Sequence, residues 1–288
     1  MGKVSFSQYS IWKSCPYRWK LLYIDKLIQF KDNINLLFGS AIHFVLQKYL
    51  KTLYNLTESE SNKLNLSEEL SNKMIELYKK ITCKENFKEF TNNDEFYEYY
   101  LDGVEILKYF KDKRSVFFSK RNWSLLGIES PLNIKLVNEV NFIGFLDIII
   151  KNNKNNIIKI IDFKTSTKGW DKYQKNDKVK MSQLLLYKGF YSRKYNVPLD
   201  NIEVEFIILK RKLNEEFLVY GKRINTFSPK NNEKEINKVL EEFDLFIKDC
   251  FDEGGKYITK EYKKNVSKYS CMFCEFNNNV KICDKNEI

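Results

Sequence analysis

Two strongly β-prone runs, residues 142–151 and 157–164, flank the turn-forming stretch Asn152-Asn153-Lys154-Asn155-Asn156. β-branched and aromatic runs on either side of such a turn read as an antiparallel hairpin. With residues 153–156 as the loop, Asp147 falls opposite Asp162, and directly opposed Cα atoms lie roughly 4.5–5.5 Å apart. Lys164, two residues beyond Asp162, shares its face.

That register creates a problem that a cation solves. Like charges side by side on a sheet repel. Asp147 also sits in the run Phe145, Leu146, Ile148, Ile149, Ile150, where burying a bare carboxylate is costly. A divalent ion between the two acids removes both penalties, and hard oxygen ligands favour magnesium or manganese. Lys164 is then placed to orient or activate an attacking water, or to stabilise charge building on a phosphate. The plainer alternative is a hairpin with one solvated face on which Asp and Lys merely pair, and one β-bulge would break the register.

The surrounding chain predicts a mixed α/β fold. A helix capped by Ser7 carries Ile11, Trp12, Cys15, Trp19, Leu22 and Tyr23 on one face. A second spans about 39–54, with Ile42, Leu46, Tyr49, Leu50 and Leu53 inward. Residues 56–114 read as two charged helices broken near Asn92 and Asn93. Strands follow at 123–129 and 132–137, then the hairpin, a helix at 178–195, strands at 202–209 and 217–222, and a helix at 232–251. This order argues a mixed β-sheet flanked by helices. It is expected as one domain over 1–288, with a helical insertion at 56–120 and a C-terminal tail, 256–288, packed on the first helix.

Composition adds limits. No apolar run reaches the roughly 18 residues of a membrane span, and residues 1–10 lack the apolar stretch of a signal peptide. A soluble, cytoplasmic protein is expected. The net charge of +11 suits a polyanion, because each neutralised phosphate releases counterions. Yet only six of the 49 basic residues are Arg, in a Lys-, Asn- and Ile-rich chain. A/T-rich coding DNA yields the same mix, so charge alone does not decide for nucleic acid.

Cys271-Met272-Phe273-Cys274 is a C-x-x-C, and Cys283 follows it. These supply three thiolates where a tetrahedral sulfur site needs four. The fourth must be Cys15, Cys83 or Cys250. Cys83 and Cys250 lie in helical patterns and read as packing residues. Zinc and iron–sulfur both accept four thiolates.

Five segments, in order, resemble the PD-(D/E)XK nuclease superfamily in its RecB-like branch. Phe6-Ser7-Gln8-Tyr9 through Cys15-Pro16-Tyr17-Arg18-Trp19 is similar to its opening helix, and Phe38-Gly39-Ser40-Ala41-Ile42-His43 to the segment bearing its metal-binding histidine. Gly144-Phe145-Leu146-Asp147 matches Gly-x-x-Asp, Ile161-Asp162-Phe163-Lys164-Thr165 matches Asp-x-Lys-Thr, and Gln183 through Tyr187 matches Gln-x-x-x-Tyr. Leu146 replaces the proline of the superfamily's name, which this branch commonly lacks.

The resemblance implies a restriction-endonuclease-like core and a metal-dependent nuclease. It implies that His43, Asp147, Asp162 and the Phe163 backbone carbonyl hold Mg2+ or Mn2+, and that Lys164 is the catalytic lysine. Gln183 and Tyr187, one helical turn apart, would face the site and touch nucleic acid. Glu129, where the family often has a strand glutamate, is given a secondary role. His43 is the chain's one histidine; outside this context it would read as structural.

Iron–sulfur members of the branch, among them AddB-type helicase–nucleases and CRISPR-associated exonucleases, join one early cysteine to three late ones. The resemblance therefore implies a 4Fe-4S cluster on Cys15, Cys271, Cys274 and Cys283, with zinc as the alternative. By the chain-entropy argument made for disulfides, such a staple removes about 4–5 kcal/mol of unfolded-state freedom. The implied substrate is single-stranded DNA or a DNA end. A non-catalytic DNA-binding protein and an RNA nuclease are the rival readings. No G-x-x-x-x-G-K-[ST] phosphate loop occurs, so a separate helicase or recombination partner is expected where duplex must be opened.

Overall fold

The hairpin forms in the expected register. Strands β3 (Val140–Asn152) and β4 (Ile158–Ser166) pair antiparallel from Lys151 opposite Ile158 to Ile148 opposite Ile161. The Asn152 N–H donates to the Ile157 carbonyl at the mouth of the loop. Strand β2 (Trp123–Lys135) runs antiparallel along the other edge of β3. It is one continuous strand where the sequence pattern indicated two, because Ile128 and Ser130, on either side of Glu129, keep their pairing with Ile148 and Leu146. The computed structural model describes residues 2–27, 32–84, 89–213, 221–272, 274–277, 279 and 281–283.

A short strand that the sequence pattern did not reveal, β1 (Gly2–Val4), pairs parallel with Val140–Phe142. The second edge of β3 is therefore shared. β1 takes residues 140–142 and β4 takes 148–151, and among the described residues 143–147 have no strand partner there. Strand β5 (Ile202–Lys210) lies parallel to β4, and β6 (Ile224–Phe227) is antiparallel to β5, completing a six-stranded mixed sheet. Of the expected strand at 217–222, residues 217–220 lie outside the described residues and 221–222 are not strand.

Helices cover both faces of this sheet. The expected first helix is two, α1 (Phe6–Ser14) and α2 (Pro16–Tyr23), with Cys15 extended between them at φ −158 and ψ 108. The residue before a proline is steered away from the α region, while Pro16 suits the first turn of a new helix. Ser5, not Ser7, occupies the N-cap position. Helix α3 (Ile34–Asn55) starts a turn before the expected boundary, because the Asn33 side chain accepts from the Leu36 N–H. Four helices follow: α4 (Glu58–Lys63), α5 (Leu66–Lys84), α6 (Asn93–Asp112) and α7 (Arg114–Phe117). Helix α8 (Lys172–Asn176) and α9 (Lys178–Tyr195) connect β4 to β5, and α10 (Glu233–Cys250) and the short α11 (Lys268–Met272) end the chain. The architecture is a mixed sheet flanked by helices, consistent with a restriction-endonuclease-like fold.

Two large apolar cores result, beside a small cluster of Leu21, Leu22 and Phe276. One joins Trp19, Phe142, Leu146, Ile160, Leu184 and Phe243; the other joins Phe38, Ile42, Phe110, Ile148, Ile161 and Phe163. Along β3, Leu146 belongs to the first and Ile148 to the second, so the strand's alternation changes phase at Asp147. Across the pair, Ile128 opposite Ile148 and Ser130 opposite Leu146 bracket Glu129, whose φ is +45. A non-glycine residue in that region is uncommon and marks a special position.

The helices at 58–117 are tied to the sheet by charge as well as packing. Arg211, just past β5, donates to Asp102 of α6 at 3.0 Å, and its guanidinium lies 3.6 Å over the Tyr99 ring. Both partners are about 10% exposed. Asp102→Ala leaves a buried guanidinium uncompensated and is expected to cost about 3 kcal/mol, read as a lower urea midpoint at unchanged slope. Glu98→Ala, which removes an exposed partner of Lys212, should shift the midpoint little.

Candidate active site

The β3–β4 ladder stops one position short of the two acids. At the next position the Asp147 carboxylate, rather than a strand carbonyl, accepts the Phe163 N–H at 2.8 Å. This anchors Asp147 at the unpaired stretch of the β3 edge. His43, on α3, places its Nδ1 3.5 Å from the same Asp147 oxygen. Asp162 is 4% exposed, lies 2.8 Å from Lys164 Nζ, and is close enough for its charge to act on Asp147. The Asp162 Oδ2 nonetheless has no hydrogen bond of proper geometry.

The electrostatics follow from burial. Desolvation pushes the Asp147 carboxyl well above the usual carboxylate range, the Asp162 charge adds to the push, and the Phe163 N–H and Lys164 work against it. Burial raises Asp162 too, opposed by the Lys164 ammonium. Burial lowers the His43 imidazole to about 4, helped by Lys164 and opposed by a hydrogen bond to the Phe163 backbone. At neutral pH His43 is therefore neutral, the state in which imidazole binds metals.

Gln183 and Tyr187 converge on the site through Asp162. The Gln183 amide donates to Asp162 Oδ1 at 3.1 Å and to the Tyr187 hydroxyl at 3.2 Å. Tyr187 is 6% exposed, so it supports Asp162 from behind instead of presenting a face to a substrate. Gly144 explains its own identity here: a Cβ on it would meet Phe142 at 2.9 Å and Tyr187 at 3.0 Å. The Gly-x-x-Asp and Gln-x-x-x-Tyr segments are thus packed against each other.

Glu129 has a larger part than the sequence reading gave it. Ligand atoms of His43, Glu129 and Asp147 all lie within 4.8 Å of one another. Gln47, one helical turn after His43 and nearly buried, donates to Glu129 Oε1 at 2.7 Å. The sequence reading missed Gln47. Its spacing of four from His43 is the signal that was there to use.

The four cysteines of the predicted cluster also come together. Cys15, Cys271, Cys274 and Cys283 line one small pocket with Tyr17, Leu21 and Phe276, and none is in a disulfide. Asn265 ties the tail to the α1–α2 joint, donating to the Ser14 carbonyl and to Cys15 Sγ. Arg18 holds Glu275 through two hydrogen bonds of 2.8 Å. No three of the sulfurs lie within 4.8 Å of one another among the described residues. Cys250 is buried, as a packing residue should be, but Cys83 is exposed.

A family model described as the PD-(D/E)XK nuclease superfamily matches residues 3–283. The chain belongs to that superfamily. A search of curated proteins gives no significant match. PD-(D/E)XK nucleases generally use Mg2+ or Mn2+, and the donor set here fits such an ion. Two carboxylates and an imidazole are close enough to share one, and a third buried carboxylate keeps an oxygen without a proper hydrogen bond.

As a PD-(D/E)XK chain this one should link metal binding to stability with a definite sign. Folded Asp147 holds its proton more tightly than the unfolded chain does. Without divalent ion it therefore takes stability away as pH rises from the ordinary carboxylate value toward its raised one. His43 has the opposite sign: its contribution is complete above about 6.5 and is lost as pH falls toward about 4. At pH 7.5 without added metal, Asp147→Asn is expected to melt no lower than the unaltered protein, and to lose the rise in Tm that Mn2+ gives it. Gln47→Leu should weaken Mn2+ binding about tenfold, as removal of a ligand's supporting partner does, measured by electron paramagnetic resonance of free Mn2+.

Proposed function

We propose that this chain is a Mg2+- or Mn2+-dependent deoxyribonuclease of the RecB-like branch, acting as an exonuclease on single-stranded DNA or DNA ends in repair, recombination or replication. The observation that carries the reading is the meeting of His43, Asp147, Asp162 and Lys164, from three separate motifs, around one end of the split between β3 and β4. His43, Asp147, Asp162 and the Phe163 carbonyl are the proposed ligands, with Glu129 beside them. When bound, the ion polarises the phosphate and lowers the pKa of a water.

The chain's own groups do the rest. Lys164, held by Asp162, offers its ammonium to charge developing on the phosphate. Gln183 and Tyr187 keep Asp162 in place. The +11 net charge supports a polyanionic substrate. No phosphate loop of an ATPase is present in the sequence, which supports reliance on a helicase or recombination partner for duplex. One nuclease domain with a helical insertion at 56–120 is the organisation this reading uses. Among the described residues no helix is long and apolar enough to cross a membrane, and reduced, clustered thiols favour an intracellular setting.

The same reading assigns Cys15, Cys271, Cys274 and Cys283 to a 4Fe-4S cluster. The shared pocket supports it. Two measurements test the whole. With Mn2+ or Mg2+ the protein should degrade a labelled single-stranded oligodeoxynucleotide, and Asp162→Ala and Lys164→Ala should each lose about a hundredfold or more. DNA binding with no cutting under any divalent ion would instead favour a non-catalytic binding protein. Protein purified without oxygen should absorb broadly in the visible blue, and Cys15→Ser should lose that band and melt lower. A colourless, active, zinc-loaded protein would sink the iron–sulfur assignment.

A further inference from the structure

An open cleft leads to the site, and one of its walls carries an aromatic ring that no core uses. Phe44 follows His43 directly on α3, is 40% exposed, and belongs to neither apolar core. Leu36, one turn from the start of the same helix, is 56% exposed in the same cleft. Lys73, reaching across from α5, lies 4.6 Å over the Phe44 ring. Lys164, Glu129 and His43 line the cleft with them.

Each feature points toward a nucleotide. A ring 40% exposed, an apolar side chain in the same cleft, and an ammonium over that ring make a surface for one flat base with an attached phosphate. Lys73, whose side chain is 19% exposed, is also paired with Glu76 at 2.8 Å; Glu76 is 62% exposed, so a phosphate in the cleft can compete with it for the ammonium. A base inside a duplex is stacked on both faces and cannot use this ring. An unpaired base can.

Resting on the nuclease reading above, we propose that Phe44 is the stacking platform for an unpaired DNA base next to the bond being cut, with Lys73 holding that nucleotide's phosphate. The helical segment bearing Lys73 then contributes to substrate choice: the site selects single-stranded over duplex DNA by what Phe44 can stack on.

The test measures binding apart from cutting. With Ca2+ in place of Mn2+ to suppress turnover, anisotropy of a short fluorescein-labelled oligothymidylate reads affinity. Phe44→Ala is expected to weaken binding about ten- to a hundredfold. Phe44→Leu, which keeps apolar bulk without a π-face, should fall with it, and Phe44→Trp should bind at least as well as the unaltered protein. An oligomer of abasic deoxyribose phosphate should bind all four equally, and Mn2+ binding should be the same in all. Full affinity in Phe44→Ala or Phe44→Leu overturns the proposal. Tighter binding of oligouridylate than of oligothymidylate overturns its DNA assignment, and an equal loss on blunt duplex overturns its single-strand assignment. Absence of cutting by the unaltered protein in Mn2+ would sink the nuclease reading, while the binding comparison would still decide the role of Phe44.

Discussion

The site depends on one hydrogen bond given to the wrong kind of acceptor. In a continuing ladder, a backbone N–H such as that of Phe163 is satisfied by a backbone carbonyl. Here it goes to the Asp147 carboxylate. That exchange ends the β3–β4 pairing at Ile148 and Ile161, and leaves an unpaired stretch of β3 between β4 and β1. A sheet that zipped one residue further would satisfy its backbone better and have nowhere to seat an ion. The buried donor is still paired, so the cost of ending the ladder is small, and the carboxylate is oriented by a rigid main-chain group.

The second constraint is that charged groups must reach this point without crossing a core. Both apolar cores press against the sheet, one beneath α9 and α10 and the other beneath α3 and α6. The alternation of β3 changes phase at Asp147, where Glu129 stands opposite with a left-handed φ. His43 arrives from the α3 side and Gln183 from the α9 side, each by a side chain from a helix that buries one face against the sheet. The acids end up desolvated, which holds their pKa values high and makes a cation the natural completion of the site.

Much of this could be read from the residues, and the limits have physical causes. The hairpin register was legible because the Asn-rich turn sets loop length, and a β-strand's period of two then fixes the faces. The α9 boundaries were legible because Asp177 caps it and Asn196 ends it in a left-handed conformation. Three residues of β1 hold no pattern, and their pairing comes wholly from the tertiary contact with Val140–Phe142. The break between α1 and α2 was written in Cys15-Pro16, but an unbroken apolar spacing masked it. Gln47 and Phe44 were missed for opposite reasons: one is a polar residue with a partner 82 positions away, the other an aromatic that composition assigns to a core.

The Cys15-Pro16 joint also connects the two ends of the chain to the chemistry. Because Pro16 forces Cys15 out of the helix, its sulfur faces the tail instead of lying along a helical face. From that joint a line of ring contacts runs inward: Trp19 on Phe246, Phe246 on Phe243, Phe243 on Phe142, and Phe142 on Tyr187, each between 5.6 and 6.3 Å. Tyr187 bonds to Gln183 and Gln183 to Asp162. Close-packed rings resist small displacements, since each has few empty directions in which to relax. The proposed staple at Cys15 would therefore fix more than the tail. It would hold α2 against the core that sets the position of Tyr187, so the order of Asp162 would be tied to the thiolate site through packing, with no charge or bond passing between them.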